Sequence, residues 1–180
     1  NGDVDSMFEY GVLLLKGKRI QQNKKEALRF LKKAADNGHI KSMKIYSDVT
    51  RSNKENPDQI NEASTYMKKA ADLGDVEAMY RYGLFLNNGD GVQKNSEEAT
   101  KYMKNAADKG YTKAMIFYSK LVKKTINDDD SLKYLKMAAD NNDINGMYLL
   151  ALELLDGDDK NKLNKEKGID YLKKSADGGQ

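Results

Sequence analysis

The chain has 180 residues, with 31 basic and 28 acidic side chains and a formal net charge of +3. With no cysteine and a single histidine, His39, it has no disulfides, no thiol nucleophile and no cysteine- or histidine-rich zinc site. The near balance of charge argues against a nucleic-acid or membrane-surface partner, and no apolar run approaches the roughly 20 residues of a membrane-spanning helix.

In chain order, Ser6, Met7, Tyr10, Gly11 and Leu14 follow the i, i+1, i+4, i+5, i+8 stripe of an amphipathic helix. Asn23-x-x-Glu26 then reads as a capping box, with Asn in place of Ser or Thr. It opens a second helix whose apolar face carries Ala27, Phe30, Leu31, Ala34 and Ala35, and Gly38 follows where a left-handed residue is wanted. The next stretch repeats the layout around Met43, with Pro57, the only proline, in the loop between helices and Gly74 at the end. The third is the clearest copy: Ala78, Met79, Tyr82, Gly83 and Leu86, a Gly89-Asp90-Gly91-Val92 loop, Asn95-x-x-Glu98, then Ala99, Tyr102, Met103, Ala106, Ala107 and Gly110. In the fourth, Ala114, Met115, Tyr118, Ser119 and Val122 are followed by a loop four residues shorter. Its second helix carries Ser131, Tyr134, Leu135, Ala138 and Ala139, with Asn142 in the glycine position. The fifth contains Met147 and a Lys173 to Asp177 segment in which Ser175 replaces the first alanine.

Two independent markers carry this period. Ala34, Ala70, Ala106, Ala138 and Ser175 are spaced by 36, 36, 32 and 37 residues, and Met7, Met43, Met79, Met115 and Met147 by 36, 36, 36 and 32. Five helix-turn-helix units follow, 3–38, 39–74, 75–110, 111–142 and 143–179. No unit of that size buries its apolar face alone, so the units stack into one solenoid domain spanning 1–180, all-α in class. Neither terminal unit has a polar outer face, which reads as a segment of a longer array.

The third unit, Ala78-x-x-x-Tyr82-Gly83-x-x-Leu86-x-x-Gly89-x-Gly91-Val92 followed by Ala99-x-x-Tyr102-x-x-x-Ala106-Ala107-x-x-Gly110, resembles the Sel-one-like repeat (SLR), a relative of the tetratricopeptide repeats. The resemblance covers essentially the whole chain and weakens in the second and fourth units, whose loops differ. It implies a right-handed α/α superhelix whose first helices line a concave face. It also implies a scaffold or adaptor that assembles other proteins.

The remaining motifs favour structural readings. Lys32, Lys68, Lys104, Lys136 and Lys173 form a stripe in register, but each has an aspartate four residues on, so the stripe is neutralised in place on a solvated helix face. His39 sits between repeats where other units have Asp3, Asp75, Tyr111 and Asp143, a poor place for a catalytic base. Gly89-x-Gly91 lacks the Gly-Lys-Ser/Thr of a phosphate loop, and Asp128-Asp129-Asp130 suits a helix N-terminus rather than a metal. Asp156-Gly157-Asp158-Asp159 lacks the ligand alternation of a calcium loop. The expectation is therefore no catalysis, no cofactor and no metal. Partner specificity is expected where units differ on the first helix: Glu9, Ile45, Arg81, Phe117 and Leu149, and three residues on Val12, Asp48, Leu84, Lys120 and Leu152. These mix charge with apolar surface, as a groove for protein or peptide partners does. The rival readings are a repeat segment of a larger enzyme or signalling protein, such as a kinase, and weak binding of anionic nucleic acid or lipid by the second-helix lysines. No membrane insertion is expected, the oligomeric state is open, and the lack of cysteine favours the cytoplasm.

Overall fold

The first, second, third and fifth repeats each open on a side chain that satisfies a free helix N–H. In the computed structural model, which describes residues 2–52, 56–123, 128–156 and 162–178, Asp3, Asp75 and Asp143 accept the backbone N–H of Ser6, Ala78 and Gly146 at 2.7, 2.8 and 2.9 Å. His39 holds the same place in the second repeat, where its Nδ1 accepts the Ser42 N–H at 3.2 Å. These residues start α1 (Val4–Lys16), α5 (Val76–Asn88), α9 (Ile144–Asp156) and α3 (Ile40–Arg51). The other first helix is α7 (Thr112–Lys123), and the second helices are α2 (Lys24–Asp36), α4 (Pro57–Asp72), α6 (Ser96–Asp108), α8 (Asp128–Asp140) and α10 (Lys162–Asp177). All regular structure among the described residues is α-helical.

The Asn-x-x-Glu signals open α2 and α6 with a local variation. The Asn23 and Asn95 side-chain oxygens each accept the Glu N–H at 3.0 Å. Their backbone N–H groups donate to the Leu14 and Leu86 carbonyls, at 3.1 and 2.9 Å. The glutamates therefore take the asparagine side-chain amide instead, at 3.4 and 3.3 Å. Serine or threonine has no second amide donor to offer, which is a physical reason for asparagine here. Pro57, expected in a loop, is the first residue of α4, where its missing N–H costs nothing; Asn56 caps the Asp58 and Gln59 N–H groups. Gly38, Gly74, Gly110 and Asn142 all adopt the left-handed conformation after a second helix.

The chain divides into two compact units, Asn1–Ala99 and Thr100–Gln180. In the first, α1 packs on α2, α2 on α3, α3 on α4 and α4 on α5; in the second, α7 packs on α8, α8 on α9 and α9 on α10. Small residues set the spacing. Ala34, Ala70, Ala106 and Ala138 are completely buried, as are Leu31, Met67 and Met103. Leu31 lies on the bare Cα of Gly11, where an added Cβ would stand 2.8 Å from its Cγ. Edge-to-face ring pairs join the two helices of a repeat: Tyr10–Phe30, Tyr46–Tyr66 and Tyr118–Tyr134, with centroids 4.8–5.0 Å apart. Met43, Met79 and Met115 are buried and Met7 and Met147 half-buried, so the methionine ladder is packing. In α10, Leu172 occupies the Leu31 and Met67 position yet stays 36% exposed.

The 89–92 loop is docked onto α4. The Ser64 hydroxyl donates to the Gly91 carbonyl at 2.7 Å, and Gly91 has φ +68° with its α-carbon against the Ile60 carbonyl.

Candidate functional site

The ten residues singled out for partner contact all lie on first helices, spaced by three along each. In the first unit this face is mostly charge that satisfies itself. Lys44 of α3 reaches Asp75 at 3.1 Å and Glu77 at 2.7 Å. One helical turn on, Asp48 pairs with Arg81, which also stands 3.8 Å from Glu77. A further turn on, Arg51 pairs with Asp90 and stacks its guanidinium 4.0 Å over the Phe85 ring. Asp75 thus caps its own helix through one oxygen and holds Lys44 through the other. Burial alone would lower the Lys44 pKa, but the hydrogen bonds to Glu77 and Asp75 outweigh it and the amine is held above its usual range. Beside this ladder lies a cleft of about 610 Å³ lined by Asp48, Arg51, Ser52, Ile60 and Asp90. Glu9 is exposed, and Val12, Ile45 and Leu84 are half-buried.

The second unit offers a different surface. Phe117 and Leu149 are half-buried, Leu152 is 40% and Tyr148 46% exposed, and Lys120, three residues after Phe117 on α7, is exposed. Lys123 pairs with Glu153 at 2.5 Å.

The second-helix lysines divide. Lys68 and Lys104 pair with Asp72 and Asp108 one turn on, at 2.7 and 2.8 Å, as their spacing predicts. Lys32 instead reaches Glu62 of the next repeat. Asp36 and Asp108 have a role that the pairing pattern hides: each accepts a hydroxyl from the following second helix, Tyr66 to Asp36 and Tyr134 to Asp108. Burial and then these carboxylates raise the pKa values of Tyr66 and Tyr134. The regular recurrence of an aromatic four residues before the buried alanine was the available signal.

Glu62 sits at the centre of this network, accepting from Lys32 and, at 2.8 Å, from the Tyr46 hydroxyl. Burial works to raise its pKa, but the hydrogen bonds from Lys32 and Tyr46 win and hold it below the usual carboxylate range; Asp108 is held low in the same way. A carboxyl whose folded pKa is depressed stabilises the fold above its unfolded value, about 4.3 for Glu, and loses that contribution as pH falls through the folded value. Stability is therefore expected to drop below about pH 4.5. Glu62→Gln is expected to cost about 1 kcal/mol at neutral pH, allowing for partial exposure, and almost nothing at pH 3. Urea titrations of both chains at the two pH values measure the difference, and equal losses at both would refute the assignment.

Among the described residues no group of three or more His, Asp or Glu side chains is placed to hold a metal, and no helix is long and apolar enough to cross a membrane. His39 caps a helix and packs 4.6 Å from the Phe8 ring. Asp128 begins α8, while residues 157–159 of the Asp156–Asp159 motif lie outside the described residues.

A family model for the Sel1 repeat matches residues 4–39, 57–75, 76–111, 113–143 and 144–180. The chain belongs to the Sel1 repeat family. The unmatched stretch, 40–56, contains α3, where buried Thr50 stands in place of Leu14, Leu86 or Val122. Solved Sel1 structures share the fold. A Sel1 repeat protein from Oxalobacter formigenes superposes with a TM-score of 0.84 at 22% identity, over all of this chain and 53% of that one. A protective antigen of uropathogenic Escherichia coli with an SLR fold gives 0.60 at 16% identity, over 99% of this chain and 47% of that one. An immunity protein from Pseudomonas aeruginosa gives 0.50 at 15% identity, over 99% and 82%. The chain thus spans about half the length of the first two. A comparison with curated proteins finds no match. The fold is an all-α repeat solenoid. Sel1 repeats generally build scaffolds for protein–protein interaction and are typically non-catalytic.

Proposed function

We propose that the five repeats act as one recognition domain that takes protein or peptide partners along the concave first-helix face, with Glu9, Val12, Ile45, Asp48, Arg81, Leu84, Phe117, Lys120, Leu149 and Leu152 as the variable contact positions. One observation carries this reading: the positions facing the core repeat from unit to unit, while these ten change in charge and polarity and are left half-buried or exposed. The apolar group Phe117, Leu149 and Leu152 supplies the adhesive part, and Lys120 selects for a nearby carboxylate. Asp48 and Arg81 hold each other, so they contribute a fixed, locally neutral surface rather than two free charges. A partner slides along this surface or competes for one of the two.

The pairing decides the choice of test. Arg81→Glu would set three carboxylates together with Asp48 and Glu77, so a loss of binding there would mix recognition with misfolding. Lys120→Glu with Leu152→Asp changes exposed positions only. With a partner first identified by crosslinking and mass spectrometry, the double variant is expected to bind at least tenfold more weakly by calorimetry, about 1.4 kcal/mol, with helix content unchanged. The double change Asp48→Asn with Arg81→Gln removes both charges together, sets no like charges beside Glu77 or Lys44, and is expected to cost at most about 1 kcal/mol. Affinity within twofold for both variants would remove the first-helix face as the binding surface.

A further inference from the structure

The balance of charge over the whole chain conceals a local excess. Residues 16–25 carry five basic side chains, Lys16, Lys18, Arg19, Lys24 and Lys25, and no acidic one, in a chain whose total is +3. They close the first hairpin, from the last residue of α1 to the first turn of α2. The turn is tied down by its own hydrogen bonds: the Gln22 side-chain amide donates to the Leu15 carbonyl at 2.7 Å, and the Asn23 N–H to the Leu14 carbonyl at 3.1 Å. Glu26, the next acidic residue, is engaged by the Asn23 amide and by Arg29. All five cations are exposed and have no ion-pair partner among the described residues, and Ile20 stands between them, 37% exposed. The third repeat shows the same ten positions when the loop is docked. There, residues 88–97 carry Lys94 against Asp90 and Glu97; Asp90 pairs with Arg51, and Gly91 lies bare against the Ile60 carbonyl. The first repeat has Lys18 in the Asp90 position and Arg19 in the Gly91 position, where a loop docked that way has no room for a side chain.

The chemistry of the turn narrows the occupant. Five unpaired cations at one hairpin end ask for an anionic surface. Residues 16–25 include no aromatic ring on which a nucleic-acid base would stack. Their one apolar side chain, Ile20, gains from burial only in a medium that offers hydrocarbon. A hairpin end is also a convex knob, which meets a flat surface, whereas a peptide is held in a groove or along a sheet edge. We propose that the α1–α2 turn docks on an anionic lipid bilayer, with lipid phosphates at Lys18, Arg19, Lys24 and Lys25 and Ile20 at the boundary between headgroups and acyl chains. The contact is peripheral and spans nothing. It lies at a hairpin end rather than on the first-helix face proposed above, and stands or falls without that reading.

The test uses the full chain and vesicles of phosphatidylglycerol and phosphatidylcholine in equal parts, read by cosedimentation. Binding is expected to be at least tenfold weaker on phosphatidylcholine alone, and at least tenfold weaker in roughly 0.5 M than in roughly 0.1 M sodium chloride. Lys18→Glu with Arg19→Glu is expected to weaken it at least tenfold, with Lys18→Gln and Arg19→Gln together falling between. Ile20→Ser leaves every charge in place and is expected to cost about threefold. Lys109→Glu with Lys113→Glu makes the same change in net charge elsewhere and should stay within twofold of the parent. All these positions are exposed, and circular dichroism checks that the helices persist. Because the chain has no tryptophan, Ile20→Trp supplies a single reporter, whose emission should move to the blue on the anionic vesicles. Equal binding to both lipid compositions, Lys18→Glu with Arg19→Glu or Ile20→Ser within twofold of the parent, an equal loss in the Lys109 and Lys113 control, or an unshifted tryptophan would overturn the proposal. So would tighter binding of a uridine homopolymer or of polyglutamate in the same salt, which would assign the turn to nucleic acid or to an acidic protein.

Discussion

Leu31→Ala is expected to cost about 3–5 kcal/mol of unfolding free energy. Leu31 is completely buried in α2, and the α1 residue beneath it is Gly11, with no side chain to move into the space. The same geometry predicts a coupling. Gly11→Ala alone gains up to about 1 kcal/mol of helix propensity. It also places a Cβ 2.8 Å from Leu31 Cγ and 3.1 Å from Cδ2, an overpacking worth about 1–3 kcal/mol. In the Leu31→Ala background the clash with Leu31 vanishes, leaving a 3.3 Å approach to the Ala27 carbonyl, and the new methyl partly fills the void, so the pair should be at least about 1 kcal/mol more stable than the sum of the single changes. Urea unfolding of the four chains, followed by circular dichroism, gives the cycle. Additivity within about 0.5 kcal/mol would mean that α1 and α2 do not pack through these two residues.

The second large effect belongs to Gly91→Ala, at about 2–4 kcal/mol. Gly91 has φ +68°, and its added Cβ would stand 2.5 Å from the Ile60 carbonyl oxygen and 2.8 Å from the carbonyl carbon. Those are backbone atoms within α4 and cannot rotate away. The loop would have to lift, breaking the Ser64 bond to the Gly91 carbonyl and drawing Asp90 from Arg51. Gly74→Ala is the matched comparison: φ is +95°, but no atom lies within 4 Å of the new Cβ. It should show the conformational penalty alone, about 1–2 kcal/mol. Thermal unfolding of the two variants checks the difference, and equal shifts would show that the 89–92 loop is not held on α4.

The repeat period, the caps and the buried alanines were legible because each is a local pattern: an asparagine and the glutamate three residues on, a glycine after the last turn, two small residues side by side. What joins one repeat to the next was not. Asp36 and Asp108 looked like partners for the lysine on their own helix, yet both accept a tyrosine hydroxyl from a residue 30 or 26 positions away, and only Asp108 keeps its lysine as well. Lys32 passes over its own aspartate for Glu62, since the neighbouring helix brings a second carboxylate within reach. Asp48 and Arg81 stood out because they vary between repeats; that they answer each other is a matter of how α3 and α5 lie together. His39 caps α3, and that position explains why aspartate serves in the same place elsewhere. The Tyr171 hydroxyl makes no bond to Asp140, the counterpart of Asp36 and Asp108, among the described residues, and nothing in the sequence marks that difference.

That unspent hydroxyl also gives the molecule a direction of mechanical failure. In an array whose strength is summed from neighbour-to-neighbour junctions, load finds the weakest one. The α9–α10 hairpin carries a half-bared Leu172 and lacks the oxygen-to-oxygen clasp that braces α4 and α8. Pulled from its carboxyl end, the solenoid should peel there first and at the lowest force, while the clasped hairpins nearer the amino end hold.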